Sequence, residues 1–189
     1  MARILVTGGA GYIGAHTVRA LVHRGDEVAV LDDLSTGHAD FVPVGAVLVR
    51  ASLLDTVRLI ETFRSRRIEA VIHFAARSLI GEDARDPAGY WHTNVGGTLS
   101  LLDAMVAAGV GRIVFSSTCA VYGEPSELPL TEEASLRPIS VYGETKLAME
   151  RAIRAYGAAH GLGWIALRYF NAAGAAQDGS IGERHEQEA

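Results

Sequence analysis

The sequence predicts an α/β fold, a doubly wound parallel sheet with flanking helices. Two observations carry that prediction. Short apolar runs alternate with helical patterns from the first residue to about 170. Most of those runs are continuously apolar, as parallel strands buried on both faces require. The strands fall at residues 4–7, 27–31, 44–49, 70–74, 112–116 and 164–167. Helices are expected at 13–24, 54–66, 86–108 and 142–160, with Gly25, Gly109 and Gly161 placed to cap three of them. Segment 117–141 breaks the rhythm with Pro125, Pro129 and Pro138, and a long excursion between strand and helix is often functional.

A chain of 189 residues, 49% apolar and 21% charged, can bury one sizeable core. Its net charge of −5 argues against nucleic acid or an anionic membrane as a partner. The single cysteine, Cys119, excludes an internal disulfide framework and fits a reducing compartment. Ile4-Leu5-Val6 is too short for a secretory signal core, and no run approaches a membrane span, so the expected location is cytoplasmic. No His/Cys/Asp/Glu cluster has metal-site spacing. The division expected is a cofactor domain over 1–174 and, over 175–189, the start of an incomplete substrate-binding region.

Gly9-Ala10-Gly11-Tyr12-Ile13-Gly14 fits G-x-G-x-x-G, and Gly8 gives an overlapping frame. The pattern follows the first strand, opens a helix, and precedes Asp32 at the end of the second strand. This is the Rossmann arrangement for a dinucleotide: glycines let the backbone approach a pyrophosphate, and Asp32 accepts from ribose hydroxyls. No Arg or Lys lies within 32–37 to meet a 2′-phosphate, which favours NAD over NADP.

Arginine occurs sixteen times and lysine once, at Lys146, four residues after Tyr142. On a helix the two share a face, and an ammonium beside the phenol favours the phenolate needed of a general base. Thr118 stands just past the 112–116 strand, at the sheet edge where ligands bind in open α/β folds. Its hydroxyl can hydrogen-bond a substrate oxygen, or simply satisfy local backbone.

These motifs, with Val71-Ile72-His73-Phe74-Ala75-Ala76, Ser116 through Gly123 and Leu167-Arg168-Tyr169-Phe170-Asn171, resemble the extended short-chain dehydrogenase/reductase (NAD-dependent epimerase/dehydratase) family from residue 4 to about 174. The resemblance implies C4 epimerisation of a UDP-sugar, interconverting UDP-glucose and UDP-galactose through a transient 4-keto sugar with tightly bound NAD. Tyr142 would take the 4-hydroxyl proton, Thr118 would share that hydrogen bond, and Lys146 would bind the nicotinamide ribose and keep Tyr142 acidic. The implied cofactor contacts are Gly8, Gly11, Tyr12, Ile13, Gly14, Asp32, Asp33, Leu34, Ser35, Ser52, Leu53, Phe74, Ala75, Ala76, Thr93, Asn94, Ser116, Tyr142, Lys146 and Phe170. Thr118, Tyr142 and Asn171 would touch the UDP-sugar. Helices such as 86–108 build a homodimer interface in some family members.

Three positions depart from the family pattern: Ser52 replaces an acidic residue, Ser78 (beside Arg77) a lysine, and Thr93 an asparagine. A 4,6-dehydratase would carry Asp-Glu after the threonine, where this chain has Cys119-Ala120. A different nucleotide-sugar epimerase, a decarboxylase, and a non-catalytic NAD-binding module stay open as alternatives.

Overall fold

Six parallel strands pair in the order β3-β2-β1-β4-β5-β6. They are β1 (Arg3–Thr7), β2 (Glu27–Asp32), β3 (Ala46–Arg50), β4 (Ala70–His73), β5 (Arg112–Ser116) and β6 (Gly163–Leu167). The structure is a computed structural model and describes residues 1–79, 81–125 and 127–184. Residues 185–189 of the expected C-terminal region therefore lie outside the described residues.

Between the strands run α1 (Tyr12–His23), α2 (Thr56–Ser65), α3 (Pro87–Tyr90), α4 (Gly97–Ala108) and α5 (Val141–His160). The expected 86–108 helix is present, but its middle turn, Trp91–Gly96, is a π-helix that joins α3 to α4. Such bulges are frequent at functional sites. The glycine caps form as expected at Gly109 and Gly161, both left-handed, and Gly25 follows α1 at φ +88°. Strand β3 begins at Ala46 instead of 44 because Gly45 turns the chain at φ +102° and leaves Val44 fully exposed.

Alternation along the strands buries both faces of the sheet. Ile4, Val6, Val28 and Val30 pack with Val18 and Leu21 of α1 on one side. Leu5, Leu31, Val71, Ile113 and Phe115 pack on the other against Leu59 and Phe63 of α2, Leu101 and Met105 of α4, and Met149 and Ile153 of α5. All six C-terminal strand ends consequently meet at one edge, the crevice edge of a doubly wound sheet.

The segment after β6 returns across α1. Tyr12 donates to the Gly174 carbonyl at 2.5 Å, Arg19 pairs with Asp178 at 2.6 Å, and Ile181 is buried with Ala15 and Phe41.

Candidate active site

The glycine turn is shaped by what a side chain would strike. A Cβ on Gly8 would lie 2.5 Å from the Ala75 amide nitrogen, and one on Gly14 would lie 2.1 Å from the Gly8 carbonyl oxygen. Gly8 also sits at φ +68°. These contacts bring β1, α1 and the β4 exit into direct apposition. Gly11 is different: it occupies the N-cap of α1 in an extended conformation, with no side-chain cap. Its Cβ would meet only the Gly8 oxygen, at 3.4 Å. The amide groups of this helix end thus have no side chain over them, as an approaching diphosphate requires.

Asp32 closes the turn from β2. Its carboxylate accepts from Ala10 N at 3.0 Å and Leu34 N at 2.9 Å, and burial raises its pKa despite these bonds. Each oxygen keeps a second lone pair for a ribose hydroxyl. Asp33 is exposed and accepts from Ser35 N at 2.9 Å, which holds Leu34 at φ +62°. The residues of this turn fit a dinucleotide. Ser52 bonds Leu54 N at 3.2 Å and Leu53 is core. Phe74, Ala75 and Ala76 leave β4 half-buried beside the Gly8 turn, with Phe74 N and Ala75 N bonded to Thr7 O.

Asn94, in the π-turn, is fully buried and bound on every side: Oδ1 accepts from Arg77 N at 2.8 Å, while Nδ2 donates to Arg77 O and Thr145 Oγ1, both at 3.1 Å. It joins the β4 exit to α5. Arg77 does not stand in for the family lysine at 78. Its guanidinium is engaged by Asp86 at 2.6 Å and Glu82 at 3.3 Å and lies 4.7 Å over the Tyr90 ring. Thr93 is half-buried one residue before Asn94.

At the β5 end Ser116, Thr118, Tyr142 and Lys146 are brought together, as the spacing predicted. Lys146 is 2% exposed, donates to Ser116 O at 2.8 Å, and lies 5.0 Å from the Phe115 ring centre and 5.8 Å from that of Tyr142. Burial pushes its pKa down to about 7. The expected acidification of Tyr142 is corrected here. Burial pushes the phenol up to about 12, against a hydrogen bond from Thr118 that pulls the other way. Desolvation is the largest influence on the phenol, while the Lys146 ammonium is engaged by the Ser116 carbonyl. Full burial, aided by the nearby Lys146 ammonium, holds His73 down to about 3.

His73 is neutral and bridges Thr7 (2.6 Å) to Thr98 (3.0 Å). Because the Thr98 hydroxyl donates to Asn94 O at 2.7 Å, it accepts from His73 Nε2, which fixes the tautomer.

Phe170 is 66% exposed and Asn171 is also exposed, so neither is gathered into this cluster. Four further residues, to which the sequence reading gave no role, are built into it. Asp83 accepts from Tyr142 N at 3.0 Å. Ser117 bonds Glu150, which pairs with Arg168 at 2.6 Å. Glu150 was visible as an acid eight residues after Tyr142 on one helical face; Asp83 gave no local signal. Among the described residues, no group of three His/Cys/Asp/Glu could hold a metal ion, and no helix is long and apolar enough to cross a membrane.

Residues 4–186 match the model of the NAD dependent epimerase/dehydratase family. The chain is 49% identical over 186 residues to the UDP-glucose 4-epimerase of Lactobacillus helveticus, covering 98% of this chain and 56% of that protein. It is 48% identical to the Corynebacterium glutamicum enzyme of the same name, covering 98% and 55%. Among solved structures it superposes on UDP-glucose 4-epimerase from Brucella ovis in complex with NAD at a TM-score of 0.97, with 47% identity, over 100% of this chain and 58% of that one. The Bifidobacterium longum enzyme in complex with NAD+ and UDP gives 0.93 at 33% identity, over 98% and 58%. The chain thus spans a little over half the length of these relatives.

Proposed function

Since the chain belongs to the NAD dependent epimerase/dehydratase family, we propose that it binds NAD and interconverts UDP-glucose and UDP-galactose at C4 of the sugar. The observation that carries this reading is the meeting of Tyr142, Thr118 and Lys146 at the sheet edge that also holds the glycine turn. Its closeness to two UDP-glucose 4-epimerases, at 48–49% identity, supports the substrate class.

Gly8, Gly11 and Gly14 admit the diphosphate backbone-first, and Asp32 takes the adenosine ribose. When bound, NAD supplies the hydride acceptor and donor for C4 together with a positive charge. Tyr142 removes the 4-hydroxyl proton and later returns it, giving no net oxidation of the sugar. Thr118 holds the same oxygen and stabilises the phenolate form in which Tyr142 accepts that proton. Lys146 donates to the nicotinamide ribose while keeping its bond to Ser116 O. Burial holds the Tyr142 phenol up, and the Thr118 contact works in the opposite direction, toward the phenolate. Cys119 and Ala120 cannot do the acid/base work of a dehydratase at C5 and C6. We place the protein in the cytoplasm and the 86–108 helical segment at a homodimer interface.

The test is incubation of the purified 189-residue chain with UDP-galactose, without added NAD, followed by detection of UDP-glucose. Conversion is expected. Cofactor retained with no conversion of any nucleotide sugar would overturn the reading and leave an NAD-binding module.

A further inference from the structure

Three consecutive residues leaving β5 meet three successive turns of α5. Ser116 O accepts from Lys146 Nζ at 2.8 Å, Ser117 Oγ donates to Glu150 Oε1, and the Thr118 hydroxyl, which accepts from Ala120 N at 3.2 Å, lies close enough to the Tyr142 phenol to lower its pKa. Tyr142, Lys146 and Glu150 lie four apart, on one face of the helix. The outer two contacts belong to groups with work in the reaction. The Ser117–Glu150 contact belongs to none, yet it is buried, with Ser117 2% and Glu150 8% exposed.

Glu150 is also held from a third direction. Arg168, one residue past β6, donates Nε to Oε1 at 2.9 Å and Nη2 to Oε2 at 2.6 Å, a two-pronged pair. The same guanidinium donates to Tyr122 Oη at 3.0 Å and lies 5.1 Å over its ring. Tyr122 ends the 3-10 turn that begins after Thr118. One carboxylate on α5 is therefore tied to the exits of β5 and β6 and to the turn carrying Thr118.

The remaining contact between this part of α5 and the sheet is apolar, through Met149 and Ile153, while Leu147 packs on Val121 and Tyr122 of the 3-10 turn. Apolar burial is non-directional and sets how deep a helix sits better than how far it has slid or rolled. A forked carboxylate–guanidinium pair is directional. Glu150 does not act on Lys146 as a charge, because its own charge is matched by Arg168 and the lysine responds to burial alone.

We propose that Glu150 is a positioning residue for the C4 chemistry, the Ser117–Glu150–Arg168 clasp setting α5 so that the Tyr142 phenol meets Thr118 and the Lys146 ammonium meets Ser116. The proposal rests on the reading of Tyr142 as the proton-transfer group. Misplacement of a reacting group by about 1 Å is enough to cost about 100-fold in rate.

The test uses Ser117→Ala, Glu150→Gln and Arg168→Lys in the full chain, with Tyr156→Phe as comparator. Tyr156 docks the same helix to Asp103 of α4 at 2.5 Å, well away from the clasp. Two quantities are read: kcat and KM for UDP-galactose, and the Cζ signal of Tyr142 in 13C-tyrosine-labelled protein at neutral pH, assigned by its loss in Tyr142→Phe. In Ser117→Ala and Glu150→Gln, kcat should fall about 10- to 100-fold with KM within about twofold, and the Tyr142 signal should shift or broaden. Arg168→Lys, which keeps the charge and loses the fork, should behave like Glu150→Gln. Tyr156→Phe should change neither quantity. Unchanged kcat and an unchanged Tyr142 signal in the first two variants would overturn the clasp, as would an equal response in Tyr156→Phe. If the wild-type chain converts no nucleotide sugar, the C4 reading fails, while the Tyr142 signal alone still decides the clasp. If Glu150→Gln fails to fold by circular dichroism, Ser117→Ala, which removes one hydroxyl, decides it.

Discussion

Two helix N-termini face the same sheet edge and are finished in opposite ways. At α1 the N-cap is Gly11, no side chain caps the helix, and the glycine turn leaves the amides open. At α5 the N-cap is Ser140, whose Oγ accepts from Gly143 N at 3.1 Å, and Asp83 accepts from Tyr142 N at 3.0 Å. A helix end offers the same unpaired N–H groups in both cases. The first is left uncapped by any side chain, whereas the second is closed by the protein. One end binds through what is missing, the other through what is fixed.

The comparison breaks most visibly at Tyr142. If the α5 end exists to fix a proton-transfer group, Tyr142→Phe should lower conversion by about 10²- to 10⁴-fold. Cofactor content, measured on the denatured protein, should stay near wild type, because the α1 end is untouched. A loss of cofactor alongside activity would merge the two ends into one function and undo the distinction.

The α1 end can be tested without disturbing the fold. Gly11 has ordinary extended dihedrals and room for a Cβ, so Gly11→Ser should fold as stably as wild type or slightly better, since serine is a good N-cap. Its NAD affinity should nevertheless fall about tenfold or more, equivalent to about 1.4 kcal/mol, measured by titration calorimetry. Gly14→Ala is the contrasting case, because the added methyl would lie 2.1 Å from the Gly8 oxygen. It should lose about 1–3 kcal/mol of stability as an overpacked contact, read by urea unfolding. Equal affinities for wild type and Gly11→Ser would mean that the open helix end is not where a phosphate sits.

The two ends were unequally legible in the sequence. Glycine at the α1 turn is informative because few other residues survive where a Cβ strikes backbone, so a local pattern predicted the geometry. The Tyr142–Lys146 pair was legible through helical spacing, and Thr118 through its place after β5. The contacts that Asp83 and Arg168 make with α5 were not, since they reach it from 59 and 18 residues away and only the folded chain brings them there. The π-turn at Trp91–Gly96 was read as ordinary helix because its apolar period continues through it. Most instructive is the acidity of Tyr142. Spacing alone showed a cation near a phenol, but the direction of the shift follows from burial, which spacing does not reveal.

Lys146 gives a smaller effect, with a pH signature. Its folded value of about 7 lies below the ordinary lysine value of 10.5, so between those values the unfolded chain binds more protons and stability rises with pH. Below about 7 the full desolvation cost acts on the folded state. Lys146→Met removes that cost, keeps the apolar stem and should raise the melting temperature, about 2–4 °C for each kcal/mol recovered. The gain should be largest near pH 6 and shrink toward pH 10. A gap that stays constant across that range would mean the ammonium is not desolvated as its burial implies.

The smallest expected effect sharpens the contrast between the helix ends themselves. Ser140→Ala removes one cap bond from α5 and should cost about 1 kcal/mol. If capping there served stability alone, the loss would appear only in the melting temperature. Because Gly143 follows Tyr142 directly and Asp83 holds the Tyr142 amide, the first turn of α5 is where the phenol's direction is set. Conversion in Ser140→Ala should therefore fall severalfold even at temperatures where the variant is fully folded, with cofactor content unchanged. A variant that melts earlier but turns over at the wild-type rate would make the α5 end an ordinary capped helix and leave the α1 end as the only one with a functional finish.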